Sequence, residues 1–359
     1  MLVRSILACV LFVLGAVGSA RAAQRTFVSG HGLDSNPCTL TAPCRSFGTA
    51  ISQTAVGGEV IVLDSAGYGP VTIGGSISLI APSGVYAGVS VSSGDGITIN
   101  ASGSTVVLRG LSINGVGGSA GITVNQVARL RIEGCTISNM NANGVANLAS
   151  GSDMTILDTV VRDNGGTGIG IAADSSVVLD HVRSEHNFFD GFYIQPASVE
   201  ATATIVDSVF VNNGVSGIWI DTHASANTYT QVERSTISGN GHNGLKATAS
   251  LSAAQANVIL ARNAINRNGE NGVLLSGTSP GFVFGQLTGN AMQSNKSNGI
   301  FASGAGVIAS ASANTVGGGF GPTADFRCDD PSGRFFSHGN NDAATFLSVG
   351  SCLMTIGLF

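Results

Sequence analysis

A short hydrophobic segment recurs in the middle of the chain at intervals of 23 to 28 residues. Each copy is a glycine followed by an apolar residue, a variable residue and a second apolar residue. Each unit holds three short apolar stretches with a period of two residues, which is typical of β-strands. Self-similarity at a period of this length indicates a solenoid of stacked coils. The glycines that set the register are Gly96, Gly121, Gly144, Gly168, Gly191, Gly217, Gly244, Gly272 and Gly299. The pattern therefore predicts coils of three short strands each.

An asparagine stands four residues before the repeat glycine in six successive units, Asn164, Asn187, Asn213, Asn240, Asn268 and Asn295. Apolar residues hold the positions seven and twelve before the glycine, with Ser184 as the exception. Stacked coils lie about 4.8 Å apart, so we expect the asparagines to form a side-chain ladder beside a continuous apolar core. We also expect the asparagine and the repeat glycine to adopt the left-handed conformation that a tight corner requires.

Composition narrows the class of protein. The chain has 359 residues, of which 51 are glycine, 43% are hydrophobic and 10% are charged. The hydrophobic fraction excludes a disordered chain, and the irregular glycine spacing excludes collagen. A net charge of −5 with only two lysines, Lys246 and Lys296, argues against nucleic-acid binding. The prediction is a monomeric all-β protein with a single domain.

The first segment has the pattern of a secretory signal. Ser5–Val17 is apolar, and Ala20-Arg21-Ala22 offers a cleavage site, so we predict a signal peptide over residues 1–22 and an exported chain, either secreted or in the periplasm or at the cell surface. A lipoprotein signal that ends at Cys9 is the alternative. No later segment is apolar over a length that would span a bilayer as a helix.

The two ends of the solenoid need covers, because an open stack exposes a strand ladder. We predict an N-terminal cap over residues 23–56, with a short helix at Ser46–Gln53, then coils over residues 57–315 and a C-terminal cap over residues 316–359.

Six cysteines divide between these segments. In an exported chain, their placement predicts one disulfide at each end, Cys38–Cys44 and Cys328–Cys352. Cys135 lies among apolar residues and is predicted to be buried and free.

The repeated Asn-x-x-x-Gly segment with its alternating apolar residues resembles the right-handed parallel β-helix of the pectate-lyase-like superfamily. The entry segment, Phe27–Pro37 with Pro43–Phe47, resembles the start of many secreted β-helix proteins, and the cysteine pair is a departure that suits a bacterial exported subgroup. The resemblance covers residues 25 to 315 approximately, and the register of the repeat glycines predicts about ten coils. It specifies the fold far better than the activity, because one fold hosts many functions.

The position two after the repeat glycine points outward, since its neighbours on either side point inward. Tyr193, Trp219 and Lys246 hold it on three successive coils, and an exposed aromatic ring suits the face of a sugar. The position four after the glycine adds further polar groups. We name the whole set the outer patch, with predicted substrate-binding residues Tyr193, Gln195, Trp219 and Thr248 and predicted catalytic residues Asp221, His223 and Lys246. Asp190 and His242 fall just before a repeat glycine and could reach its rim.

The resemblance implies a polysaccharide or cell-surface glycan as the partner and, for an enzyme, a lyase or an epimerase. Asp221-Thr222-His223 resembles the Asp-Pro-His motif of epimerases of this fold, with Thr in place of Pro, and Lys246 is a candidate base. The acid pair of the β-helix hydrolases is missing, and calcium is conceivable but has no clear site. The alternative is a non-catalytic surface, matrix or adhesin-type carbohydrate-binding module, so whether the chain is an enzyme stays open.

A second polar column lies ten residues before the repeat glycine, at a predicted coil corner. It holds Asp158, His181, Asp207, Arg234 and Arg262, and we interpret it as a solvated ladder in which Asp207 pairs with Arg234.

Overall fold

The computed structural model describes residues 23–250, 253–317, 325–343, 345–348 and 352–356, so the predicted signal peptide lies outside the described residues. Its strands pair only in parallel, each with the equivalent strand of the neighbouring coils, and form three stacks. This is the predicted solenoid of three-strand coils, and the predicted number of about ten coils is confirmed.

The first stack contains the strands that follow the repeat glycine and carries the outer patch. Its strands are Val71–Ile73, the start of Ile97–Arg109, the start of Ile122–Glu133, Val145–Asn147, Ile169–Ile171, Phe192–Ile194, Ile218–His223, Leu245–Ser250, Val273–Gly277, Ile300–Ser303, Phe326–Cys328 and Phe346–Ser348.

The second stack follows the first along each coil. Its strands are Ala23–Val28, Thr54–Val62, Ile77–Ile80, the ends of Ile97–Arg109 and Ile122–Glu133, Asp153–Leu157, Ser176–Asp180, Glu200–Val206, Asn227–Glu233, Gln255–Ala261, Phe282–Thr288, Val307–Ser312, Arg334–His338 and Leu353–Ile356.

The third stack closes each coil. Its strands are Ala66–Gly67, Ala87–Val91, Leu111–Gly115, Thr136–Ser138, Val160–Arg162, Arg183–Glu185, Val209–Val211, Thr236–Ser238, Ala264–Asn266, Ala291–Gln293, Thr315–Gly317 and Asp342–Ala343.

The core is a set of apolar columns inside the coils. The residues one after the repeat glycine are all fully buried, namely Ile97, Ile122, Val145, Ile169, Phe192, Ile218, Leu245, Val273 and Ile300. Each such side chain contributes about 1.5–3 kcal/mol by leaving water, so the column stabilises the coil below and the coil above together. Ser184, the polar exception, satisfies its buried hydroxyl by donating to the Gly191 carbonyl over 2.8 Å.

The predicted asparagine ladder is present at the corner between the third and first stacks. The Nδ2 of each asparagine donates to the Oδ1 of the next, with 3.0 Å from Asn187 to Asn213 and 3.1 Å from Asn213 to Asn240. The same Oδ1 of Asn240 also accepts from the backbone amide of Asn213 over 3.0 Å. These side chains are buried, so the ladder satisfies the polar groups of the corner without water.

The left-handed residue at this corner is not the asparagine but the residue before it, as in Asp163 with φ of 56° and Asn212 with φ of 55°. The expectation that the ladder asparagine and the repeat glycine adopt this conformation is therefore wrong. The repeat glycine is required for another reason, because there is no room for a side chain at its position. A Cβ atom on Gly191 would lie 2.7 Å from the Gly217 carbonyl oxygen and 2.7 Å from Nδ2 of Asn213. The ladder packs against the next strand too closely for any side chain there.

The structure contains a second asparagine ladder that the sequence pattern did not reveal. It lies at the corner between the second and third stacks, where Asn263 donates to Asn290 over 3.0 Å and Asn290 donates to Asn314 over 2.9 Å. Ser208 and Ser235 continue it toward the N-terminus with their hydroxyl groups. Every coil in this region is therefore tied to the next at two corners.

The helix Phe47–Gln53 lies beside the first coil, and Ser46 caps it by accepting from the Thr49 amide over 3.3 Å. The boundaries at residues 57 and 315 stay predictions, and parallel pairing continues on both sides of them through Ala23–Val28 and Phe326–Cys328. No helix among the described residues is long and apolar enough to cross a membrane.

Both predicted disulfides, Cys38–Cys44 and Cys328–Cys352, are confirmed. Cys135 is buried and free as predicted, and burial raises the pKa of its thiol to about 11. Disulfides persist in oxidising compartments, which supports a location outside the cytoplasm.

We expect Asn240→Ala to lower the free energy of unfolding by about 1–3 kcal/mol, because it removes the acceptor of the buried Asn213 backbone amide and the side-chain donor to Asn268 and to the Phe210 carbonyl. Chemical denaturation followed by circular dichroism measures the change. Asn125→Ala is the control, since Asn125 is exposed and makes one side-chain bond, to Asn100. Equal midpoints for the two variants would show that the ladder does not stabilise the fold.

Candidate functional site

The outer patch lies on the exposed face of the first stack, on three successive coils. Tyr193 pairs in register with Trp219, and Trp219 pairs in register with Lys246. The two rings meet edge to face with centroids 5.2 Å apart, and the Lys246 Nζ lies 4.0 Å from the Trp219 ring centroid. The structure thus brings the predicted aromatic platform and cation together.

Asp221 is the centre of a hydrogen-bond network beside these rings. Its Oδ2 accepts from the Tyr193 hydroxyl over 3.0 Å and lies 2.9 Å from Nε2 of His223. Its Oδ1 accepts from the Thr248 hydroxyl over 2.7 Å. The Asp221 side chain is only 10% exposed, so its charge is held between these three partners.

His223 stands at the solvent side of the network, with 39% of its side chain exposed. Because a carboxylate can only accept, Nε2 carries a hydrogen and donates to Asp221. In the neutral ring Nδ1 is then the acceptor, and it lies 3.1 Å from the Ser250 hydroxyl. Asp221 thereby orients the imidazole and leaves Nδ1, beside the Ser250 hydroxyl, as its basic nitrogen.

Tyr193 keeps its proton. Burial raises the pKa of the phenol, and the negative charge of Asp221 and the hydrogen bond to it raise this pKa further. Tyr193 is therefore a hydrogen-bond donor and a potential acid at neutral pH.

Gln195 follows Ile194 just beyond the end of its strand and is half-buried. Its backbone amide donates to the Ile171 carbonyl over 2.8 Å, whereas no side-chain hydrogen bond joins it to the network in the described structure. Its predicted role in substrate binding stays a prediction. Thr248, by contrast, also accepts from Nε1 of Trp219 over 3.3 Å, so it fixes the indole as well as the carboxylate.

Asp190 is a buried carboxyl at the corner next to the patch, at 3% exposure. Burial raises its pKa to about 6, although the hydrogen bond from the Ser216 amide, at 2.9 Å, and the positive charges of Lys246 and His242 act in the opposite direction. In the sequence, Asp190 stands one residue before the repeat glycine Gly191. The equivalent residue of an earlier coil is Asn143. That asparagine accepts a backbone amide in the same way.

His242 lies on the same corner and pairs with Glu270, with 2.9 Å between Nδ1 and Oε1. The other carboxylate oxygen of Glu270 accepts from Asn243 over 3.2 Å. The charge of His242 acts on Asp190, whereas no hydrogen bond among the described residues joins this pair to the Asp221 network.

Comparisons with known proteins agree on the fold. A protein-family model described as a right handed beta helix region matches residues 86–231. The chain has the right-handed parallel β-helix fold. The sequence matches no curated protein.

Solved structures similar to this β-helix include the A-modules of two Azotobacter vinelandii mannuronan C-5 epimerases. The AlgE4 module is 18% identical with a TM-score of 0.54 and covers 74% of this chain and 90% of its own. The AlgE6 module is 16% identical with a TM-score of 0.55 and covers 84% and 91%. The Dettilon tailspike protein is 12% identical with a TM-score of 0.57 and covers 90% and 68%. At these identities the likeness shows the fold alone.

The second polar column of the β-helix lies at a coil corner, as predicted, and its members have left-handed backbones, including Asp207 with φ of 48°. The Arg234 guanidinium donates two hydrogen bonds, of 2.9 and 2.8 Å, to the Asp207 carboxylate, and these hydrogen bonds lower the pKa of Asp207. Asp180, His181 and Asp207 offer ligand atoms within 4.8 Å of one another. Because Arg234 already occupies the Asp207 carboxylate, this corner fits an ion-pair ladder better than a metal centre.

We expect Asp190→Asn to be more stable than the wild type at pH 7 by about 1–3 kcal/mol, because Asn keeps the acceptor for Ser216 but carries no buried charge. The folded pKa of Asp190 is raised, so the stability that it contributes is complete below about pH 4 and is lost as the pH rises through 6. The difference between the two proteins should therefore shrink toward pH 4.

Denaturant unfolding at pH 4, 5, 6 and 7 tests this expectation. Asp153→Asn, which changes an exposed carboxylate of the second stack, is the matched control and should follow the wild type. Parallel pH curves for wild type and Asp190→Asn would contradict it.

Proposed function

We propose that this β-helix binds a uronate-containing polysaccharide over the outer patch and removes a proton next to a substrate carboxylate, as lyases and epimerases do. The observation that carries the proposal is the Tyr193–Asp221–His223 network beside the Lys246–Trp219 pair. It combines an acid, an oriented imidazole, a cation and an aromatic platform on one exposed surface.

Binding uses the two rings and the cation. Tyr193 and Trp219 offer apolar area to the face of a pyranose ring, and their polar atoms stay tied to Asp221 and Thr248. Lys246 makes no ion pair within 4 Å among the described residues, so its charge is available to a substrate carboxylate. This arrangement favours an acidic sugar over a neutral one.

The chemistry begins with the proton on the carbon that bears the carboxylate. Nδ1 of His223 takes it, Asp221 holds the resulting imidazolium, and Lys246 neutralises the negative charge that develops on the substrate carboxylate. In an elimination, the C–H electron pair forms the carbon–carbon double bond, the glycosidic C–O bond breaks, and the leaving oxygen takes the Tyr193 proton. In an epimerisation, Tyr193 returns a proton to the opposite face of the same carbon.

The similar structures support this reading. Two of them are named mannuronan C-5 epimerases, and mannuronan is a polyuronate. The disulfides and the predicted signal peptide support a location outside the cytoplasm, where such polymers occur.

Turnover should depend on the proton donor and on the cation. We expect Tyr193→Phe and Lys246→Ala to lower the rate on pectate or polymannuronate at least about 100-fold, because each removes proton transfer or charge stabilisation from the transition state. Absorbance of unsaturated uronate reports a lyase, and proton NMR of the polymer reports an epimerase, each with and without calcium.

Matched controls exist for both changes. Tyr229→Phe alters an exposed tyrosine of the second stack, and Lys296→Ala alters the other lysine of the chain, so both should keep the wild-type rate. A Tyr193→Phe variant with undiminished turnover would remove the acid that we assign.

A non-catalytic carbohydrate-binding module is the second candidate. The hydrogen bonds within the Asp221 network favour it. Both oxygens of Asp221 and both nitrogens of His223 already have protein partners. In a binding module, these hydrogen bonds hold the side chains of the outer patch rigid. Substitutions of Asp221 or Lys246 then change only the affinity for the oligosaccharide.

Trp219→Ala should weaken binding of acidic oligosaccharides by about 1 kcal/mol or more in either case, through lost stacking area. Quenching of the Trp219 fluorescence, the single tryptophan of the chain, measures binding to the wild type, and calorimetry measures the variant. Wild-type fluorescence that stays constant with pectate, alginate and neutral glucans, with calorimetry silent, would show that the patch is not the site.

A further inference from the structure

The outward column that carries the patch continues toward the C-terminus and ends in a second cation–aromatic pair. Lys246 pairs in register with Leu274, Leu274 with Phe301, and Phe301 with Arg327. The Arg327 guanidinium carbon lies 4.6 Å from the Phe301 ring centroid. The surface thus repeats, three coils further on, the pairing of a cation with a ring that Lys246 and Trp219 make.

Arg327 has an unused donor. Its Nε is buried and has no hydrogen-bond partner, and no carboxylate lies within 4 Å of the guanidinium in the described structure, although Asp329 is two residues away. A buried guanidinium nitrogen without an acceptor is costly unless a ligand completes it. The planar group suits a carboxylate, which accepts two parallel bonds.

We propose that Arg327, supported by Phe301, is a distal anion subsite that binds a second carboxylate of the same polymer. The inference rests on the proposed function and extends it to the length and direction of the ligand. Three coils separate Lys246 from Arg327, which is about 14 Å along the axis at the spacing of parallel strands.

An extended pyranose chain advances by a distance similar to one coil for each sugar. A chain that lies along the solenoid axis and returns its carboxylate to the same edge at every third sugar therefore presents two carboxylates to Lys246 and Arg327. Leu274 and Phe301 lie between them and offer apolar area to the intervening sugars. The ligand is then a linear polyuronate of at least four residues, with its charges on one edge.

Binding of oligouronates of defined length tests the subsite. We expect the wild type to bind a hexamer about tenfold more tightly than a trimer, which is too short to reach both cations, because hydrogen bonds to a charged group are gained. Arg327→Gln should lose this gain and bind both lengths equally. Arg327→Lys keeps the positive charge but not the paired donors of the planar guanidinium, and it should retain part of the gain in affinity for the hexamer.

Arg334→Gln is the matched control, because it removes the same charge from an exposed position on the second stack and should behave as the wild type. Circular dichroism establishes that each variant is folded. A wild type and an Arg327→Gln variant with the same preference for the hexamer would overturn the subsite and leave the proposed function intact. A wild type that binds neither oligouronate would overturn both.

Discussion

The close stacking of coils is the constraint on which the rest of the structure depends. At the spacing of parallel strands, each corner brings backbone amides and carbonyls into a region that water does not reach. The asparagines satisfy these groups, since one side chain accepts from the coil before it and donates to the coil after it, as Asn213 does toward Asn187 and Asn240. The same closeness excludes a side chain at Gly191 or Gly217, so ladder and glycine belong together.

This register also builds the functional surface. Because equivalent residues of successive coils lie side by side, three residues far apart in sequence, Tyr193, Trp219 and Lys246, become direct neighbours. No loop is needed to hold them. Asp221 then ties all three coils and the histidine together at 2.7 to 3.0 Å, which makes the surface a rigid arrangement of side chains on strands.

The repeat made the columns predictable from sequence, so the ladder through Asn240, the adjacency of Trp219 and Lys246 and the solenoid of three-strand coils followed from the spacing. The right-handed parallel β-helix followed from the resemblance. What the spacing could not supply is the direction of individual side chains and dihedrals. The left-handed residue is one position earlier than expected, and the asparagine that follows it has both its backbone amide and its side-chain amide bonded to the next coil. The bond from Tyr193 to Asp221 crosses columns, and Arg327 lies past residue 315, where the spacing of the repeat is lost.

The parallel pairing of the coils gives the molecule a direction. Every described strand pairs in parallel with the equivalent strands of the neighbouring coils, so the first coil and the last coil expose different edges of the same stacks. A second copy that added to an uncovered end with this same parallel pairing would join head to tail. Such a contact propagates into a filament instead of closing as a pair. The end segments thus determine whether the molecule stays discrete, in addition to their contribution to its stability.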